Sequence, residues 1–296
     1  MVPSQDLESF ILDLDQALTW LGALGIQPNQ TRFSKYREIL GTVCEHRMAG
    51  TLDKLRLVVP LEQYRIAFIE STDLVAIGKT FKRIPGSRFR KKVRDAITGP
   101  VHPSDEKKSG SKARDFLFEL SVAALFRNRE FPVLTCTDKD LVTRMSGHTL
   151  LVECKRPQSK NKVRRSIEKA TGQLMMHFKN SNRGAMLRGL IVLDISIVMN
   201  PQRMFVNGDS DEAIESEMHA LFARFLDEFK SALGYRRDKR ILGILAFAKV
   251  LGYHRLENHH INCQGRQIVI HAQRGTHDAI LAEDLSRRLT PKAEGV

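Results

Sequence analysis

An α/β domain behind a helical N-terminal region is the architecture this sequence predicts, on three observations. Apolar residues recur at helical spacing through the first 98 positions. Beyond residue 112, short apolar runs that suit strands alternate with helical stretches. Gly189–Met199 is an almost unbroken apolar run, as expected of a strand covered on both faces. At 296 residues, 42% of them hydrophobic, the chain is globular and long enough for a well-buried core and two domains.

The elements follow in order. Leu7, Phe10, Ile11, Leu14, Leu18 and Leu21 predict a first helix, and Tyr36, Leu40 and Val43 a second. A third covers about residues 60–77, with Pro60 and Ser71-Thr72 blurring its limits. Lys79–Arg94 then holds eight basic residues in sixteen and no acid, with Phe81 and Phe89 between them. Gly99–Lys112 is rich in Gly, Pro, Ser and charge, cannot bury much, and reads as a linker. The expected organisation is a helical, basic region over 1–98, a linker over 99–112, and an α/β domain with C-terminal additions over 113–296.

Within that domain Ala113–Arg129 is helical, with Phe116, Leu120, Ala123 and Phe126 along one face. Phe131–Thr137, Asp140–Met145 and Thr149–Lys155 read as strands, the last two joined by a turn at Ser146-Gly147-His148. Asn161–Lys179 returns to helical period through Val163, Ile167, Ala170, Leu174 and Phe178, and the Gly189–Met199 strand follows. The order helix, three strands, helix, strand is then extended by a helix through Met218, Phe222 and Phe225. Two further strands are expected at Ile241–Leu251 and Arg266–His271.

Charge narrows the function. Forty-seven Lys plus Arg against 34 Asp plus Glu leave +13 and a pI near 9.8, which favours a polyanionic partner. No apolar stretch is long enough to span a membrane, no lipid motif or amphipathic anchor stands out, and the N-terminus lacks a basic signal-peptide region. Cys44, Cys136, Cys154 and Cys263 lack metal-type spacing, which argues for reduced thiols in a cytoplasmic protein.

Three carboxylates and a lysine stand out within 37 residues. Glu119 shares the inward face of its helix, where a carboxylate needs either a basic partner or a metal. Asp140 opens a strand; Asp138 is the alternative, less favoured because no apolar residues follow it directly. On the third strand Leu151, Glu153 and Lys155 face one way, so the Glu and the Lys emerge together at the end of an apolar run. Carboxylates so placed hold a hard divalent cation such as Mg²⁺, and a lysine beside them positions water or neutralises phosphate. A salt-bridged strand end is the plainer alternative.

Glu119, Asp140-Leu141-Val142 and Leu150-Leu151-Val152-Glu153-Cys154-Lys155 resemble the motifs of the PD-(D/E)xK, or restriction-endonuclease-like, nuclease superfamily over about residues 113–200. Lys139 stands where the family name has Pro. The resemblance implies an αβββαβ core with a mixed sheet and hydrolysis of DNA to 5′-phosphate and 3′-hydroxyl ends. It also implies Mg²⁺ or Mn²⁺ held by Asp140, Glu153 and the Cys154 backbone carbonyl, with Glu119 assisting directly or through water. Lys155 would assist the nucleophilic water, and cutting both strands would suit a homodimer. Gln173, in Gln173-Leu174-Met175-Met176-His177, resembles the Gln-x-x-x-Tyr element of the exonuclease branch, with His177 in place of Tyr; a polar Gln with no role is the alternative.

Basic residues mark two candidate nucleic-acid contacts. Arg156, Lys160, Lys162, Arg164 and Arg165 crowd the start of the helix after Lys155, where cations oppose the helix dipole unless a phosphate is present. Arg88, Arg90, Lys91 and Lys92 form the second set, alongside the alternative that Phe81 and Phe89 simply anchor a surface helix in the core. His254, His259 and His260 near Cys263 match no standard metal spacing and read as loop histidines; Asp194, within its apolar strand, reads as a core or a site-edge carboxylate and is left unassigned. The expected function is a divalent-metal-dependent nuclease acting on double-stranded DNA, most simply an endonuclease. The alternatives are a catalytically inactive nucleic-acid-binding protein of the same fold and a module that binds an acidic protein.

Overall fold

The helical spacing of the first hundred residues is realised as α1 (Leu7–Ala23), α2 (Arg32–Met48), α3 (Leu61–Thr80) and α4 (Gly86–Ile97). The structure is a computed structural model. It describes the chain apart from residues 1–6, 52–53, 55–56, 84–85, 136–139, 182–185, 201–204, 236, 257–258 and 291–296, and apart from the side chains of 107–109, 135 and 259–260. Residues 99–112, read as a linker, hold a short helix, α5 (Pro103–Ser109). Pro103 supplies its pre-set first turn, and Gly110, at φ 66°, its left-handed end. The chain divides into two compact units, Pro3–Ala124 and Leu125–Val296, so the division falls inside α6 (Ala113–Asn128).

In the first unit, Phe10 of α1 stacks on Phe68 of α3 at 4.7 Å, and Phe33 and Tyr36 of α2 meet edge to face at 5.4 Å. A polar network is buried with them. Glu70 accepts from Arg32 Nε at 2.7 Å and from Arg114 Nε at 2.6 Å, while Arg114 Nη2 donates to the Tyr36 hydroxyl at 3.0 Å. Burial pushes the Glu70 carboxyl up, but the two arginine charges and their hydrogen bonds outweigh it and hold it below the usual range.

The second unit is built on a mixed seven-stranded sheet: β1 (Val133–Thr135), β2 (Leu141–Met145), β3 (His148–Lys155), β4 (Leu187–Asp194), β5 (Val206–Gly208), β6 (Ile241–His254) and β7 (His259–Ile270). Strand order is β1-β2-β3-β4-β6-β5, with β7 paired to β6. β1, β2 and β3 are antiparallel neighbours, whereas β4 runs parallel to both β3 and β6. The parallel step from β3 to β4 needs a crossover, which is helix α7 (Val163–Lys179).

One turn fixes the register that matters. Met145 pairs with His148 across a two-residue loop in which Ser146 and Gly147 have φ 46° and 80°, both in the left-handed region that such tight hairpins require. Leu141 is thereby placed opposite Val152, which brings Asp140, just before β2, to the end of β3. Alternation then sorts the sheet faces. Leu151 of β3, Ile191 and Leu193 of β4, and Ile244, Ala246 and Ala248 of β6 form a core with Ile167, Leu174 and Phe178 of α7. Met218, Phe222 and Phe225 of a later helix, α9 (Asp211–Glu228), join the same core. Gly189 allows α7 to close on β4, since a Cβ there would meet Leu174 Cδ1 at 2.9 Å and Phe178 Cζ at 3.0 Å.

Several expectations are corrected. The apolar run Gly189–Met199 is a strand only to Asp194; Ser196–Met199 is a short helix, α8. Asp194 Oδ1 accepts from the Ser196 N–H at 3.0 Å and hydroxyl at 2.5 Å, a local alternative to the ladder. β6 and β7 extend well beyond Ile241–Leu251 and Arg266–His271, in continuous register from Gly243↔Ile270 to His254↔His259. His254, His259 and His260 therefore belong to a hairpin rather than to a loop. Three further elements, beside α5 and α8, were not foreseen: the short β5, the single-turn α10 (Lys230–Leu233) and the C-terminal α11 (His277–Leu289). Helix α11 is capped by the Thr276 hydroxyl, which accepts from the Ala279 N–H. Among the described residues no helix is long and apolar enough to cross a membrane.

Candidate active site

At the paired ends of β2 and β3 three oxygens converge on one ammonium group. Lys155 Nζ donates to the Cys154 carbonyl at 2.9 Å and to Glu153 Oε2 at 3.1 Å, and lies 3.6 Å from Asp140 Oδ2. The same Asp140 oxygen accepts the Cys154 backbone N–H at 2.7 Å, which locks the carboxylate against the end of β3. Glu153 is almost fully shielded, with its side chain 3% exposed; those of Lys155 and Asp140 are 15% and 19% exposed, so the cluster opens on one side. Glu153 Oε1 faces a different partner, His177 Nε2 of α7, at 3.6 Å.

The electrostatics are unbalanced. Burial first, then the neighbouring Asp140 charge, raises the Glu153 carboxyl to about 7, against the opposing pull of Lys155. Burial works against a charged Lys155, but Asp140 and Glu153 outweigh it and hold that amine above its ordinary value. The two carboxylates thus favour the ammonium form of Lys155. Two carboxylates share one cation.

The donor set fits a hard divalent cation. Asp140, Glu153 and the Cys154 carbonyl offer only oxygen, the ligand type Mg²⁺ and Mn²⁺ prefer, and a cationic group already gathers all three. No group of three or more His, Cys, Asp or Glu side chains among the described residues is arranged as a metal site. The candidate set has two carboxylates and completes itself with a backbone oxygen. On α7, one turn before His177, Gln173 keeps a buried Oε1 with no hydrogen-bond partner, an acceptor on the same helix that faces Glu153.

The remaining predicted residues fall in different surroundings. Glu119, in the first unit, takes the ion-pair option: its Oε2 lies 2.5 Å from Lys92 Nζ, with side chains 11% and 6% exposed. Lys92 is therefore inside rather than on a nucleic-acid surface. Phe89, Lys92, Val93, Ala96 and Ile97 mark the buried stripe of α4, a spacing that already assigns Lys92 inward. Phe81 and Phe89 are both buried and pack at 4.8 Å, so the aromatics anchor the segment in the core. Arg88, Arg90 and Lys91 stay exposed, Lys91 paired with Asp95 at 2.6 Å. In the second unit Lys160, Lys162, Arg164 and Arg165 are exposed beside the start of α7, with Lys160 on Glu228 at 2.6 Å and Arg164 on Glu168 at 3.1 Å. Asp138 lies outside the described residues.

Two residues named in the sequence without partners prove to be neighbours of the cluster. Asp194, at the end of β4, accepts Arg156 Nε at 3.0 Å and thereby fixes the guanidinium that follows Lys155. Burial raises its carboxyl, yet Arg156, Ser196 and Lys249 together hold it below the usual range. The Lys155↔Leu193 register, one residue short of Arg156 and Asp194, is the signal that foretells this pair once β3 and β4 are known to be parallel. His177 was noted only as a substitution for Tyr; its meeting with Glu153 depends on α7 crossing β3. No protein-family model, curated protein or solved structure matches the chain.

Proposed function

We propose that this protein is a divalent-metal-dependent nuclease that hydrolyses DNA phosphodiester bonds, with the restriction-endonuclease-like αβββαβ core running through α6, β1, β2, β3, α7 and β4. The observation that carries this reading is the convergence of Asp140 Oδ2, Glu153 Oε2 and the Cys154 carbonyl on Lys155 Nζ within 2.9–3.6 Å. Its excess of negative charge, in a chain of net charge +13, suits a cation at the centre and a polyanion around it.

Asp140, Glu153 and the Cys154 carbonyl would hold Mg²⁺ or Mn²⁺, which when bound supplies Lewis-acid activation of water and of the phosphoryl oxygen. Asp140, fixed by the Cys154 N–H, arrives with its carboxylate already oriented. Lys155, held as an ammonium, offers its charge to a non-bridging oxygen as negative charge builds there in the transition state. His177 steadies the second oxygen of Glu153, and Gln173 brings a further acceptor on the same helix. In the reaction a water oxygen bonds to phosphorus while the bond to the 3′ oxygen breaks. The leaving oxygen is protonated, giving a 5′-phosphate and a 3′-hydroxyl. Arg156, set by Asp194, and the exposed Lys162, Arg164 and Arg165 would take adjacent phosphates. Glu119, engaged by Lys92, enters this reading as an internal support of the first unit rather than as a ligand.

The test is cleavage of supercoiled and linear DNA with Mg²⁺ or Mn²⁺ by the wild type, Lys155→Ala and Asp140→Ala. Metal-dependent cutting by the wild type, absent in both variants, is expected. Cutting that survives in both variants removes the assigned site. DNA binding without cutting under either metal favours the inactive-binder alternative.

A further inference from the structure

The first unit holds a groove that the proposed reaction leaves unused. It lies between α1 and the end of α3, measures about 300 Å³, and takes its apolar lining from Ala17, Trp20, Val75 and Gly78. Trp20, the single tryptophan of the chain, is half-buried there. Its indole N–H donates to the Phe81 carbonyl at 3.2 Å, which ties the ring to the turn after α3. Gly78 lies beside the ring. A Cβ at that position would meet Ala17 Cβ and Trp20 Cε3 at 3.5 Å, ordinary contacts, so packing does not call for glycine. Glycine is also less favourable than alanine inside a helix. What its missing side chain leaves is open space along the indole.

Charge narrows the ligand to one class. Lys79 and Lys82, both exposed, line the groove with a single acid, Asp13, which Lys79 engages at 2.6 Å. They open the Lys79–Arg94 stretch, which holds eight basic residues and no acid, and Arg83, Arg88, Arg90 and Arg94 of that stretch are exposed as well. Phe81 and Phe89 are buried, so the aromatic surface beside these cations is that of Trp20. A space of this size admits one ring system and excludes a duplex. An aromatic ring flanked by lysines is the combination that takes an unpaired base by stacking and its phosphates by charge. An apolar side chain of a protein partner would have no use for the cations, and an acidic peptide none for the ring.

We propose that this groove binds an unpaired base of single-stranded DNA, stacked on Trp20, with the flanking phosphates on Lys79 and Lys82. Stacking and charge come from the groove itself, whereas the choice of DNA rests on the nuclease reading of the second unit.

Because Trp20 is the only tryptophan, its emission reports this groove alone. The experiment titrates the full chain, in chelator so that cleavage plays no part, with a labelled oligothymidylate, following Trp20 emission and the anisotropy of the label together. Saturable quenching is expected, while an abasic strand with the same number of phosphates binds more weakly and leaves the emission unchanged. By anisotropy, Trp20→Ala weakens binding by about 5–150-fold. Trp20→Phe, which keeps a ring and guards against a folding defect, loses less. Lys82→Ala, at an exposed position, makes the slope of log affinity against log salt shallower by about 0.7. Unchanged emission with the strand bound, equal quenching by the abasic strand, wild-type affinity in Trp20→Ala, or no binding at all overturns the proposal. Quenching by an oligouridylate RNA alone overturns the choice of DNA. A wild type that quenches as expected but cuts no DNA with Mg²⁺ or Mn²⁺ fails the nuclease reading and upholds the base site; one that cuts without quenching does the reverse.

Discussion

Glu70 and Glu153 are both shielded carboxylates, but their surroundings invert one another. Glu70, among the helices of the first unit, lies between two arginines, one of which also pairs with Glu106 at 3.6 Å, and has a lowered pKa. Glu153, at the end of β3 in the second unit, shares one lysine with Asp140, and its pKa is raised to about 7. A buried carboxylate whose network balances its charges is complete, and its value lies in holding elements together. One with surplus anions is incomplete, and the missing charge must come from outside. That difference in charge count, more than the mere presence of acids, separates a structural cluster from a candidate catalytic one.

The sharpest way to break the comparison is to remove one group from each cluster and ask which property falls. Lys155→Ala is expected to lower metal-dependent cleavage by about 10²–10³-fold while leaving a cooperative thermal transition. Glu70→Gln should do the reverse. With Arg32 left buried without a counter-charge and Arg114 with only Glu106 at 3.6 Å, stability drops by about 3–5 kcal/mol in denaturant titration, and cleavage per folded molecule is kept. Equal stability losses in the two variants would erase the distinction.

Opposite pH dependences sharpen it further. Because the folded pKa of Glu70 is lowered, its contribution is present above the ordinary carboxylate range and is lost as pH falls through the lower folded value. Because the folded pKa of Glu153 is raised, its contribution is present below the ordinary range and is lost as pH rises through about 7. In chelator, the wild type should lose stability relative to Glu153→Gln between about pH 4.5 and 7, by about 1–3 kcal/mol, as thermal melts across that range will read. A flat difference between the two proteins would remove the charge-deficit account of Glu153.

The smallest effect is expected at the exposed cations by α7. Lys160→Ala breaks a pair whose side chains are 55% and 45% exposed, so stability should change by no more than about 1 kcal/mol. Lys162→Ala should be silent in stability and make the salt dependence of DNA binding shallower by about 0.9 if it meets a phosphate.

The β2–β3 hairpin, the shared face of Glu153 and Lys155, and the crossover by α7 were all legible, because alternation, a Ser-Gly turn and helical spacing are local signals. The inward place of Lys92 was legible too, from Phe89, Val93, Ala96 and Ile97. Its charge pointed instead to a surface contact, and the acid that retains it lies 27 positions further along the chain. The end of β4 was hidden because Ile195, Val198 and Met199 are as apolar as the strand before them, and only the bonds between Asp194 and Ser196 break the run. The approach of His177 to Glu153, and the pairing of Asp194 with Arg156, arise from helix–sheet and strand–strand packing that no local pattern encodes.

The central claim is that the Asp140, Glu153 and Cys154 oxygens form an incomplete anionic cradle, and the most direct measurement is a Mn²⁺ titration followed by electron paramagnetic resonance of the free ion. The account predicts one saturable ion in the wild type and in folded Glu70→Gln, and greatly weakened binding in Glu153→Gln. No binding by the wild type, or equal binding by Glu153→Gln, would contradict it.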